Sequence, residues 1–145
     1  MSKSIGMILA FVSTLFFISM AHAQMPGKTW EKTITLPNGD VILDMSGEWD
    51  AFIENYGRQF AAGSYNNVEK ITQTGASFEA IRMMDDPWNF KGSQSFKGEL
   101  DKAGIKKVTI IGKGGSIEAK GIISENGNKI VIDDGEVVRL TLTRK

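Results

Sequence analysis

Short runs of alternating apolar and polar residues, each ended by Gly, Asn or Asp, fill the chain from residue 29 onward. Period-two alternation puts successive side chains on opposite faces of a strand, so such runs build a sheet with one buried face. The first pair, residues 29–36 and 41–44, flanks Pro37-Asn38-Gly39-Asp40, whose Asn-Gly suits a tight turn. It reads as an N-terminal hairpin or extension spanning 24–46. From Gly47 onward eight strand candidates follow, at 48–54, 67–73, 77–83, 94–100, 105–111, 116–124, 129–133 and 136–143. Thr74-Gly75, the glycines from Gly112 to Gly115, Asn126-Gly127 and Asp134-Gly135 supply turns between them. These connections are too short for helical crossovers, which argues against a parallel sheet. Eight is the strand number that closes a small up-and-down barrel, so the expected fold is all-β, an eight-stranded antiparallel barrel over 47–145.

Two connections are long, 55–66 and 84–93, and both carry aromatics. They are the first and third of the meander, and odd-numbered connections emerge at one end, so both should stand over the same mouth. Loops on a rigid scaffold concentrate binding residues. Tyr56, Phe60, Tyr65, Trp88 and Phe90 are therefore candidate ligand contacts. A lid over a ligand and a plug that caps the core both remain open, because long apolar loops serve either purpose.

The N-terminal segment combines basic Lys3, an apolar run over 5–20 and the small-residue site Ala21-His22-Ala23. That is the pattern of a cleaved secretory signal peptide, with cleavage after Ala23. The apolar run is shorter than the roughly 20 residues of a spanning helix, and serines and a threonine dilute it. A periplasmic or secreted chain without an integral membrane segment is expected. Removing these 23 residues from 145 leaves 122, one domain's worth, with 16 basic against 17 acidic residues. Such a balance does not suit nucleic acid.

The chain has no cysteine, and its one histidine is His22, inside the expected signal. The mature protein would thus hold neither imidazole nor thiol, which excludes Ser-His-Asp and Cys-His nucleophilic machinery and His- or Cys-ligated metals. A non-enzymatic protein without cofactor or metal is the expectation. Without disulfide staples, the domain must bury enough apolar surface to hold itself together, and closing a sheet does this.

Gly47-Glu48-Trp49 opens the first barrel strand, and Arg144 ends the last, Leu140-Thr141-Leu142-Thr143-Arg144. This resembles the calycin pattern of lipocalins, fatty-acid-binding proteins and avidins, in which a Gly-x-Trp packs under a basic residue from near the C-terminus. It is also similar to small secreted bacterial proteins with a lipocalin-like barrel. The resemblance implies a barrel with one end sealed by Trp49 and Arg144 and an open end for small apolar ligands. Val138, Leu140, Leu142 and Arg144 share one strand face, which would deliver Arg144 to the floor. The chain departs from lipocalins in its short strands and in lacking their further motifs and disulfide.

Other groups invite chemistry. Asp85-Asp86 and Asp133-Asp134 could run acid–base chemistry or hold a hard cation, but Asp-Pro and Asp-Gly mark turns, where Asp side chains bond amides. Gly112, Gly114 and Gly115 precede no helix and read as a strand turn rather than a phosphate loop. Lys102, Lys106, Lys107, Lys113 and Lys120 read as a solvated outer face. Arg82 shares a face with Phe78 and Ala80; turned inward it could fork a ligand carboxylate, but Ile81 and Met83 are better core residues and favour Arg82 outward. The leading expectation is an exported barrel that binds a small apolar or amphiphilic ligand between the long loops. The alternative is a filled barrel that serves as a protein-interaction or envelope-structural module.

Overall fold

A computed structural model describes residues 29–58 and 60–145. The expected signal segment 1–23, its cleavage site and His22 lie outside the described residues. The described chain contains ten strands: β1 (Thr33–Thr35), β2 (Val41–Leu43), β3 (Gly47–Asn55), β4 (Gly63–Thr74), β5 (Ser77–Arg82), β6 (Gln94–Asp101), β7 (Gly104–Gly112), β8 (Gly115–Ile123), β9 (Lys129–Asp133) and β10 (Val138–Arg144). β1 and β2 form a separate antiparallel hairpin, and β3 to β10 close into an eight-stranded antiparallel barrel in sequential order.

Closure is made by β10 pairing with β3 along seven residues, from Val138 opposite Asn55 to Arg144 opposite Trp49. Alternation does the rest: Trp49, Ala51 and Ile53 on β3, Phe78 and Ala80 on β5, and Val138, Leu140 and Leu142 on β10 are all buried. Their neighbours on the same strands face outward, as the pleat requires. Lys102, Lys106, Lys107, Lys113 and Lys120 are exposed on the outside.

The largest difference from the sequence reading is in β4, which begins at Gly63 rather than 67. Residues 63–66 are polar and do not alternate, yet they complete the ladder opposite β3, with Tyr65 facing Ile53. The first long loop therefore shrinks to 56–62, and Tyr65 belongs to a strand. β6 carries a second surprise. Its pairing with β5 skips Ser95, which sits between Gln94 opposite Ile81 and Phe96 opposite Ala80. This bulge buries Ser95 and Phe96 consecutively, which strict alternation forbids and a bulge permits.

The floor is sealed by the N-terminal hairpin and its exit segment. Ile42, Leu43 and Met45 are fully buried against the barrel. The Gln73 side chain ties this segment to β4, accepting from Met45 N at 2.7 Å and donating to Leu43 O at 3.0 Å. Gly127, in the β8–β9 turn, has a positive φ of 81°, and an added Cβ there would stand 2.8 Å from Leu43 Cδ1. A side chain would thus push the turn off the plug. Gly98 on β6 is equally constrained, since a Cβ would lie 2.1 Å from the Lys107 carbonyl oxygen and 2.7 Å from the Phe78 ring.

At this floor the Arg144 guanidinium lies 4.4 Å from the Trp49 ring centroid. Trp49 is fully buried and its Nε1 donates to Met45 O at 2.9 Å. Arg144 donates to Asp44 O at 2.8 Å and to Asn128 Oδ1 at 3.1 Å. One side chain thus joins β10, the β8–β9 turn, the hairpin exit and the tryptophan of β3. The cation–π contact and the charge-assisted hydrogen bonds together set the expected loss: Arg144→Ala should lower unfolding free energy by about 2–4 kcal/mol in urea denaturation followed by tryptophan fluorescence. A change below about 0.5 kcal/mol, the scale of an ordinary surface substitution, would contradict the sealing role.

Candidate functional site

The other end of the barrel is the mouth. The connections β3–β4, β5–β6, β7–β8 and β9–β10 emerge there, and each contributes to the lining of one cavity through Phe60, Trp88, Gly114 and Val137. The two long loops meet directly, with the Phe60 and Trp88 rings 4.9 Å apart at 45°. Below them the cavity has a volume of about 60 Å³, which is room for roughly four or five water-sized groups. Ile53, Ile110, Ile117 and Leu140 form its apolar walls. The interior beneath is filled by side chains, including the Phe78 and Phe96 rings at 6.2 Å.

Of the ligand contacts expected from sequence, Phe60, Tyr65, Arg82 and Trp88 line this cavity. Tyr56 and Phe90 stand outside the lining. Tyr56 is 43% exposed, and its hydroxyl donates to Asp133 Oδ2 at 2.9 Å. Phe90, at the tip of the second loop, is 80% exposed. Gly47, Trp49 and Arg144 lie at the opposite end, as a structural floor.

Arg82 corrects the favoured sequence reading: it points inward and is buried, while Ile81 is outward and exposed. The burial is possible because the guanidinium is almost fully satisfied. It donates to Ser93 Oγ at 3.0 Å, Gln94 O at 2.6 Å and Ile111 O at 2.6 Å, and its Nε lies 3.4 Å from Asp86 Oδ2. Two of these acceptors are backbone carbonyls, one on β6 and one on β7, which no side-chain pattern announces. Arg82 is therefore a brace for the mouth, with its fork already occupied.

Asp86 is the other half of that brace. Its Oδ1 accepts from the Trp88 and Asn89 amides at 2.8 and 2.7 Å, so the carboxylate that neutralises Arg82 also holds the loop carrying Trp88. Asp85 accepts from the Lys91 amide, and Asp134 from the Val137 and Val138 amides. The paired aspartates thus bond turn amides, in the manner of their residue type. Asn89 in turn accepts from the Lys113 amide at 2.9 Å, linking this loop to the β7–β8 turn. Gly112 and Gly115 pair across that turn.

The residue that sequence reasoning missed is Glu69, on β4 opposite Arg82 and Trp49. It is 1% exposed and lines the cavity. Ser95, delivered by the β6 bulge, donates to Glu69 Oε1 at 2.8 Å, whereas Oε2 has no hydrogen-bond partner among the described residues. Burial raises the Glu69 carboxyl to about 7, an increase that the Ser95 hydrogen bond and the Arg82 charge oppose and the Asp86 charge reinforces. Burial, reinforced by the Asp86 charge, likewise pushes the Tyr65 phenol to about 12, so it stays protonated at neutral pH.

These features define a class: a closed up-and-down barrel, sealed at one end by its own N-terminal hairpin and indented at the other by a small cavity with aromatic and aliphatic walls and a buried carboxyl. Comparison of the chain with protein-family models, curated proteins and solved structures gave no match.

The folded state holds the Glu69 proton more tightly than the unfolded chain does. Between 4.5 and about 7, the unfolded chain releases this proton while the folded state retains it, so stability falls as pH rises through that window and then levels off. At about 1.4 kcal/mol per unit, the contribution is about 3 kcal/mol. Glu69→Gln removes it: the stability of the variant relative to wild type should rise by about that amount between about pH 4.5 and pH 8 in parallel urea titrations. A difference independent of pH would contradict the buried carboxyl.

Proposed function

We propose that the mature chain is an exported, lipocalin-like binding barrel that takes a small, mostly apolar ligand at its mouth and catalyses no reaction. The observation that carries this reading is the cavity under the Phe60–Trp88 pair, apolar over most of its wall and holding a polar atom, Glu69 Oε2, without a partner among the described residues. Concave, mainly apolar sites with a few placed polar groups are the usual form of small-molecule sites. With room of about 60 Å³, the cavity suits the end of an extended molecule, whose remainder would lie between the long loops. The Trp49–Arg144 contact at the closed end supports the lipocalin-like comparison, and the pattern of residues 1–23 supports export to the periplasm or beyond.

A second reading has its own support. The barrel beneath the cavity is packed, and Phe90 stands 80% exposed beside the mouth, as an aromatic anchor for a protein partner would. A titration with a neutral hydrophobic fluorophore such as N-phenyl-1-naphthylamine separates the two. Ligand binding predicts saturable enhancement with wild-type protein and at least about tenfold weaker binding by Trp88→Ala, the loss of a principal apolar wall. Equal and negligible signals from both proteins would overturn the ligand reading and favour docking through Phe90.

A further inference from the structure

Glu69 poses a chemical problem that the barrel does not solve internally. Ionised, its Oε2 is an acceptor with no donor within reach; protonated on that oxygen, it is a donor with no acceptor, since the described residues give Oε2 no partner in either sense. Buried polar atoms in folded proteins are nearly always paired, and an exception at a cavity wall points to a group that arrives from outside.

The charges around the cavity select the kind of group. The charged and titratable residues facing Glu69 are Tyr65 on its own strand, Arg82 from β5 and Asp86 from the β5–β6 loop, with uncharged Ser95 from β6 and Trp49 from β3 alongside. Arg82 is committed to Asp86, Ser93 and two carbonyls, so an ionised Glu69 leaves one negative charge without a counterpart. A ligand carboxylate would meet two carboxylates and no free cation on the described wall. A neutral hydroxyl could reach Oε2 but would leave the charge uncompensated, which is costly in a buried site. An ammonium satisfies both needs, and the rings of Phe60, Tyr65 and Trp88, all part of the wall, attract a cation through their faces.

We infer that the ligand end entering the mouth is a protonated amine on an apolar body, received by the Glu69 carboxylate under the Phe60–Trp88 pair. This rests on the ligand-binding reading of the same cavity. The Ser95 hydroxyl orients the carboxylate by holding Oε1, leaving Oε2 for the ammonium. Binding requires ionised Glu69, so affinity should rise with pH through about 7 and level off above, while the alkylammonium itself stays charged.

The test is calorimetric titration of the mature protein with n-hexylammonium, n-hexanol and hexanoate. At about pH 8 the amine should bind at least about tenfold more tightly than the alcohol, with hexanoate weakest, since only the ammonium compensates the buried carboxylate charge. Lowering wild-type protein to about pH 6 should weaken the amine about tenfold, following the fraction of ionised Glu69, and leave the alcohol unaffected. Glu69→Gln should remove the preference for amine over alcohol, and should that variant fail to fold, the pH dependence in wild type probes the same carboxylate. Alcohol or hexanoate binding as tightly as the amine would overturn the inference and leave an apolar site standing. Failure of all three probes to bind would remove the ligand reading together with the inference.

Discussion

The pairing of β10 with β3 is the constraint on which the rest depends. A meander of eight strands left open would expose two edges and an apolar face; seven residue pairs across the seam convert it into a tube with an inside. At the lower end of that seam Arg144 stands opposite Trp49, and the guanidinium over the indole also draws in the hairpin exit and the β8–β9 turn. One residue at the end of the last strand therefore joins parts of the chain that are 100 residues apart, from Asp44 to Arg144. The N-terminal hairpin is part of this closure, because Ile42, Leu43 and Met45 fill the floor that the strands alone leave open.

With one end sealed, polarity is sorted inside the barrel. Among the described residues, four of the five buried polar ones, Asn55, Glu69, Arg82 and Ser95, line the mouth cavity, while the fifth, Asn67, pins the second long loop by exchanging hydrogen bonds with the Met84 backbone. The Arg82–Asp86 brace shows how such groups coexist with an apolar core: each polar atom of the pair is spent on a carbonyl, an amide or the opposite charge. Glu69 is the exception, and its incompleteness is local, confined to one oxygen on the cavity wall. A group whose ordinary partners have been withheld by the fold is where outside chemistry can act.

Much of this was legible in the residues. Alternation and turn signals located all eight barrel strands and the hairpin, and the parity of Val138, Leu140, Leu142 and Arg144 put the arginine beside Trp49. The shared mouth followed from counting connections. Illegible parts had physical causes. The polar segment 63–66 joins β4 because backbone pairing with β3 needs no apolar side chains. Ser95 is inside because of a bulge, which shifts parity by one residue and leaves no mark in composition. Arg82 is inside because backbone carbonyls of β6 and β7 accept its hydrogen bonds. Glu69 did carry a signal: it shares parity with Ile71, a buried residue two positions along the strand, but a carboxylate beside Lys70 reads as solvent-facing until its strand is placed in a ring.

Closure, floor sealing and the mouth chemistry converge on the state of one carboxyl group. Labelling the mature protein with ¹³C at glutamate side chains and following the Glu69 carboxyl carbon through a pH titration reports whether that group lies inside a closed barrel. The account predicts a midpoint near 7, set by burial between Ser95 and the Arg82–Asp86 pair. A midpoint in the ordinary carboxylate range, near 4.5, would mean that water reaches Glu69 freely and would contradict both the sealed interior and the site built on it.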